Sequence, residues 1–175
     1  MELMQVRSEI DPVLDIYRDR KPERVLEIGS WDGGTIQLWL ENAAPGAMVV
    51  AVDLHHRNAA AYEQWQRADV EFVTVTGDSH SEEIADAVRA HGPYDWVFVD
   101  GDHSDYGVRA DVAVTMPLIR AGGVLVLHDI TPGVGWASYP PGVLCDELEA
   151  QGHRVDRFED PKQEAWSHGL GVVYL

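Results

Sequence analysis

The stretch "YDWVFVDGDHSDYG", residues 94–107, runs apolar and aromatic from Trp96 to Val99 and then breaks into Asp100, Gly101, Asp102 and His103. Two carboxylates and an imidazole at the point where a buried strand must stop are groups able to hold a cation or move a proton. A second such break comes at "GVLVLHDI", where His128 and Asp129 end an apolar run. The first glycine cluster, "LEIGSWDGGT", places Gly29, Gly33 and Gly34 between a predicted strand and a predicted helix. There the backbone turns sharply and can approach a ligand closely. The GxxxGG spacing is neither the GxGxxG of dinucleotide binders nor GxxxxGK[ST] of phosphate loops, and no lysine follows to meet a triphosphate.

The elements that position these groups are legible as alternating patterns. Short apolar runs at 24–29, 48–53, 70–77, 94–100 and 123–129 are rich in Val and Leu, as strands buried on both faces are. Between them, residues 34–42 read as a helix closed by Pro45 and Gly46. Ser81 reads as an N-cap followed by Glu82 and Glu83, and "HGP" ends that helix. Ser104 reads as the cap of a helix carrying Val108, Val112 and Met116, with Pro117 unsuited to its interior. Strand–helix–strand repetition predicts an α/β fold, a doubly wound parallel sheet with helices on both faces. Ligands on such sheets bind at the carboxyl ends of the strands. Four runs end at or just before an acid, so Asp53, Asp78, Asp100 and Asp129 are expected along one rim. Asp53, closing the second run, is placed to accept hydrogen bonds from a ribose diol. The tail runs 153–160 and 168–175 read as an antiparallel hairpin at the sheet edge.

Composition narrows the function classes. The 175 residues carry 30 acids against 13 bases, a formal net charge of −17 that repels phosphate backbones, so a nucleic-acid partner is not expected. No apolar run reaches the length of a membrane span, and acids stand where a secretion signal would carry bases, which predicts a cytoplasmic, non-membrane protein. The single Cys145 reads as a small core residue.

On these residues the chain resembles the class I S-adenosylmethionine-dependent methyltransferases across roughly residues 22–130. "VLEIGSWDGG" is similar to their first motif, "VVAVD" to the second and "VTGDSHS" to the third. The resemblance implies a Rossmann-like sheet of order 3-2-1-4-5-7-6 with the last strand antiparallel. It implies cofactor contacts from Glu27, Gly29, Ser30, Gly33, Asp53, Leu54, Asp78, Ser79 and Asp100, with Asp53 on the ribose hydroxyls and Asp78 at the adenine amino group. Trp31 and Asp32 stand where that motif often has a glycine, a departure that shifts weight from the loop to the acids.

"FVDGDHSDYGVRADV" with "GGVLVLHDI" narrows the resemblance to metal-dependent small-molecule O-methyltransferases, among them antibiotic-sugar O-methyltransferases and cephalosporin-hydroxylase-like proteins. That likeness implies Asp100, His128 and Asp129 as ligands of a divalent metal, Mg²⁺ first, and His103 as general base. His128 is the departure, since Mg²⁺ prefers oxygen ligands and an imidazole favours Mn²⁺, Fe²⁺ or Zn²⁺. Adjacent residues on a strand face opposite ways, so His128 and Asp129 share a face only if the strand has ended. The competing reading of Asp102 is a turn acid bound to backbone N–H groups.

The resulting domain plan is one methyltransferase domain over 1–175: an N-terminal helix in 1–20, a cofactor-binding core in 22–130, and acceptor loops with the hairpin in 131–175. The loops 130–143 and 159–169, with Trp136, Tyr139, Trp166 and His168, are expected to shape a pocket for a small hydroxylated acceptor. About twenty residues precede the first strand, so an open pocket or a lid from a second copy in a homo-oligomer is expected. A hydroxylase-like metal enzyme on the same fold and a non-catalytic cofactor-binding domain are the competing functions.

Overall fold

A computed structural model gives the fold and describes residues 6–131, 139–160, 162 and 168–175. Seven strands form one sheet, β1 (Arg24–Ile28), β2 (Met48–Asp53), β3 (Glu71–Thr76), β4 (Tyr94–Val99), β5 (Ile119–His128), β6 (Arg154–Phe158) and β7 (Leu170–Tyr174). Their order is β3-β2-β1-β4-β5-β7-β6, the order the sequence resemblance implies. The first five strands pair in parallel and β7 runs antiparallel to both β5 and β6.

Two-residue alternation sorts the strand side chains into two cores. Val25, Val49, Ala51, Trp96, Phe98, Val124 and Val126 face α1 (Arg7–Arg20), α2 (Gly34–Asn42) and α3 (Ala59–Trp65). Leu26, Val50, Val52, Val97, Leu125 and Leu127 face α4 (Glu82–His91), α5 (Asp105–Thr115) and α6 (Pro140–Ala150). On the first side Tyr17, Trp39, Trp96 and Phe98 pack ring on ring at centroid separations of 5.0–5.7 Å. Cys145 is buried in the second core, where burial pushes its thiol up to about 12. It is the inert core thiol that the sequence suggests.

The caps fall where the residue types put them. Ser81 Oγ accepts from Ile84 N–H at the start of α4, and Ser104 Oγ accepts from Gly107 N–H at the start of α5. Helix α5 stops at Thr115, and Pro117 sits in a short 3-10 turn instead. Helices α3 and α6 are additions to the sequence reading. The stretch expected as loop through residue 143 becomes helical at Pro140, because proline at a helix's first position gives up only an N–H that has no partner there. Arg109 on α5 clamps Glu147 on α6 through two hydrogen bonds of 2.7 and 2.8 Å, fixing α6 beside the carboxyl edge of the sheet.

That edge is tightest between β1 and β4. Gly29 follows β1 at φ +86°, and a Cβ there would lie 2.0 Å from the Asp100 carbonyl oxygen. Only glycine fits both the backbone angle and the space. Gly29→Ala is expected to cost about 3 kcal/mol or more, combining left-handed strain with overpacking. Urea denaturation of the variant against the parent measures it, and a change under about 0.5 kcal/mol, the size of an ordinary surface substitution, contradicts this geometry.

Candidate active site

Three of the four strand-end acids line one cavity of about 480 Å³ above the sheet, Asp53, Asp78 and Asp100, together with Gly29, Leu54 and Ser79. Trp31, His55, Arg57, His80, Gly101 and Asp102 also line it. Asp53 Oδ2 accepts from Trp31 N–H at 2.8 Å and Oδ1 from His55 N–H at 2.9 Å, so its carboxylate is aimed by two backbone amides. Arg57 lies over the exposed Trp31 ring, 3.5 Å from its centroid, and forms the outer lip. Nothing in the glycine spacing pointed to Arg57; its aromatic partner in the departing motif was the one available signal.

The remaining predicted cofactor residues stand behind that wall. Glu27 shares the β1 face of Val25 and is fully buried, its Oε1 accepting from Thr35 Oγ1 at 2.7 Å and its Oε2 from Trp39 Nε1 at 2.5 Å. It ties β1 to α2 beneath the glycine loop. Ser30 receives a hydrogen bond from Tyr62 at 3.2 Å and lies 3.5 Å from Asp53 Oδ2. Gly33 stands at φ +83°, where a Cβ would come within 2.5 Å of the Tyr62 ring. This glycine answers to the packing of α3.

The second cluster sits at the ends of β4 and β5. Asp129 adopts φ +60°, a left-handed turn taken immediately after β5 ends at His128. That turn brings two sequence neighbours to the same side, with His128 Nδ1 3.3 Å from Asp129 Oδ1. Asp100 Oδ1 is met by His128 Nδ1 at 2.8 Å and His103 Nε2 at 3.1 Å, while His103 Nδ1 lies 2.6 Å from Asp129 Oδ2. Burial pushes the Asp100 carboxyl up, but the charge of His128 and the hydrogen bonds from His103 and His128 outweigh it and hold it at about 2. Hydrogen bonds to Asp100 and then Asp129 raise His103 to about 10. For His128 burial works downward, and the Asp100 charge overcomes it to give about 9.

One ligand atom from each of Asp100, His103 and Asp129 lies within 4.8 Å of the others, a grouping that fits one cation. Asp129 Oδ1 and His128 Nε2 are buried without a hydrogen-bond partner among the described residues, and an orphaned carboxylate oxygen beside two histidines suits a missing positive charge. His128 is as buried as Asp129, and its Nδ1 faces Asp100 Oδ1 at 2.8 Å. Asp102 Oδ1 accepts from Ser104 N–H at 2.9 Å, the turn role weighed for it.

A second cavity of about 720 Å³ adjoins the first through Gly101 and Asp102, and His103, Ser104, Asp105, Pro140 and Val143 line the rest. Tyr139 and His168, with His103 and Asp129, line a small recess beside it. Trp136 and Trp166 lie outside the described residues. No helix among the described residues is long and apolar enough to cross a membrane.

The family described as "Methyltransferase domain" matches residues 26–130, and the chain belongs to it. The mycinamicin VI 2''-O-methyltransferase of Micromonospora griseorubida is 30% identical over 134 residues, covering 72% of this chain and 30% of that protein. The chain thus spans about a third of the length of the curated relatives it matches. An O-methyltransferase from Bacillus cereus, solved in complex with SAH, superposes with a TM-score of 0.76 at 13% identity, covering 93% of this chain and 78% of that one. The MycE methyltransferase of the mycinamycin biosynthetic pathway, solved with Mg, SAH and mycinamycin VI, gives 0.63 at 24% identity, covering 94% and 47%. Both superpositions show the fold.

Glu27 supplies a prediction independent of any ligand. Burial lifts its carboxyl to about 8, against hydrogen bonds from Thr35 and Trp39 that lower it. Between its ordinary value and about 8 the folded chain keeps a proton that the unfolded chain releases, so this group's contribution to stability falls as pH rises through that window. Glu27→Gln removes that slope. Between pH 5 and pH 9 the unfolding free energy is expected to fall by about 4 kcal/mol less in the variant than in the parent. Identical slopes contradict a buried, proton-retaining Glu27.

Proposed function

We propose that this domain is an S-adenosylmethionine-dependent O-methyltransferase acting on a hydroxyl of a small molecule, assisted by a divalent cation, Mg²⁺ in the first instance. One observation carries the reading: Asp100 belongs at once to the cavity that Asp53 and Asp78 line and to the cluster that faces the second cavity. A donor and an acceptor bound in the two spaces would meet beside a single carboxylate.

In the first cavity, Asp53 accepts from the ribose diol, its carboxylate already oriented by Trp31 and His55 N–H. Asp78 and Ser79 take the adenine end. The close backbone approach of Gly29 to Asp100 shapes the channel for the methionine part. The sulfonium donor supplies the methyl group. Asp100 and Asp129, with His103 beside them, hold the cation, which when bound stabilises a developing alkoxide and offsets the carboxylate charge that otherwise keeps His103 protonated. His128 Nδ1 meets Asp100 Oδ1 at 2.8 Å and steadies that carboxylate beside the cation site. His103 is the base. Both its ring nitrogens face carboxylates, Nδ1 at Asp129 and Nε2 at Asp100, so one of them would be freed to accept the hydroxyl proton once the cation engages those carboxylates. Pro140 and Val143 of α6 give the acceptor side an apolar wall. The net charge of −17 disfavours a nucleic-acid acceptor, and the glycosylated acceptor named for the mycinamicin relative makes a sugar hydroxyl the first class to test.

Calorimetric titration with S-adenosylhomocysteine, the demethylated product, is expected to give micromolar binding that weakens at least about 30-fold in Asp53→Ala, the loss of charge-assisted hydrogen bonds. Unaltered affinity in that variant sinks the donor assignment. Methyl transfer from labelled donor to a panel of glycosides with free hydroxyls should stop in excess EDTA and return with Mg²⁺. Mn²⁺ binding followed by electron paramagnetic resonance should be lost in Asp129→Ala. Full turnover under chelation would remove the cation from the mechanism.

A further inference from the structure

Behind the first cavity lies a buried acid that neither the donor contacts nor the cation cluster uses. Asp111, on the inner face of α5, has no exposed surface. It sits directly beneath the β4 end, where a Cβ on Gly101 would come within 2.9 Å of its Oδ2. Val108 and Val112 flank it on α5, and the carboxylates of Asp102 and Asp78 act on it as like charges. The groups that offset its charge come from the loop after β3. His80 Nε2 is 3.3 Å from Asp111 Oδ1, and the Ser79 hydroxyl also reaches the carboxylate. Neither carboxylate oxygen makes a hydrogen bond of good geometry among the described residues, and burial raises the Asp111 carboxyl accordingly. A buried acid so loosely satisfied is costly to keep, which asks for a reason.

The other face of His80 supplies it. The imidazole lines the cavity, with Nδ1 3.6 Å from Asp78 Oδ1, and His80 N–H donates to that same oxygen at 3.0 Å. Tyr106 packs edge-on against the ring at 5.6 Å. Asp78 itself is mostly exposed and has no other partner holding it in place among its hydrogen bonds. The ring therefore spans from a fixed buried carboxylate to a loosely held one on the cavity wall, with its charge and the His80 N–H both facing Asp78 Oδ1 and Oδ2 left for a ligand. We infer that Asp111 is a positioning residue for the adenine end of the donor cavity, acting through His80 to aim the Asp78 carboxylate at an exocyclic amino group. This rests on the donor reading proposed above and deepens it, since the selectivity of that site for an amino-bearing purine would come from a residue that never touches the ligand.

Discrimination between S-adenosylhomocysteine and S-inosylhomocysteine tests it, because the second replaces the amino donor with a carbonyl oxygen that a carboxylate repels. Calorimetry on the parent chain is expected to show at least a tenfold preference for the adenosyl compound. Asp111→Ala should reduce that preference to about twofold or less, mainly by weakening the adenosyl compound, and Asp111→Asn, which keeps an acceptor for His80, should retain most of it. His80→Ala removes a side chain at the cavity wall instead of one in the core, and should abolish the preference as Asp111→Ala does. It carries the test if Asp111→Ala does not fold. Full preference retained in either alanine variant overturns the inference. So does an equal loss of affinity for both compounds, the mark of a merely structural role. A parent chain that binds neither compound defeats the donor reading itself, a result distinct from the other two.

Discussion

Crowding of negative charge along one edge of a sheet is the constraint on which the rest of this structure depends. A parallel sheet delivers the ends of neighbouring strands to the same side, and here those ends carry Asp53, Asp78, Asp100 and Asp129 in a chain already at −17. Unscreened carboxylates at such spacing repel, so each persists through its own local arrangement. Asp53 takes two backbone amides, and Asp100 and Asp129 share two imidazoles. Asp78 takes one amide and leans on His80, which leans in turn on Asp111. Amide dipoles, imidazolium ions and buried carboxylates are thus laid out as a graded field, and that field is suited to a positively charged donor at one end and a metal ion at the other.

Much of this was legible from residue types because the physics is local. Strands buried on both faces must be apolar throughout, so their limits show as abrupt changes of composition, and acids at those limits stand out. The caps Ser81 and Ser104 were legible for the same reason: a side-chain oxygen three residues before an unpaired N–H is a short-range matter. Helix α6 was hidden because its first three residues are Pro140, Pro141 and Gly142, which signal a loop when read alone and a helix start when a proline sits at the first position.

What stayed hidden depends on a backbone angle or a long crossing. His128 and Asp129 meet on one side because residue 129 turns to φ +60°, and nothing in the two-residue string states that angle. Glu27 resembles a motif acid, yet strand alternation puts it on the face of Val25, under α2 and away from the cavity. That parity was available in the sequence and counts for more than the motif's position. The pairing of His80 with Asp111 joins two segments thirty-one positions apart, and α5 must cross beneath the β4 end before they touch. The one sequence trace of it is an acid set beside Val108 and Val112 on the buried face of α5.

Asp100 ties these observations together. Its carbonyl closes against Gly29, its carboxylate is held by His103 and His128, and it lies on the wall of the larger-walled of the two halves that meet at Gly101. A residue fixed by its backbone on one side and by two imidazoles on the other has little freedom to move when either cavity fills. Occupancy of one space is then transmitted to the other as charge and not as displacement. A cation on Asp100 and Asp129 would draw off negative potential that also faces the first cavity, while a cationic donor in that cavity would repel the cation in turn. The two sites are therefore expected to compete electrostatically while their ligands are both positive, and that opposition disappears once methyl transfer has removed the donor's charge. Product and cation are then better neighbours than donor and cation, so the cation weakens capture of the charged donor and does not oppose binding of the spent one.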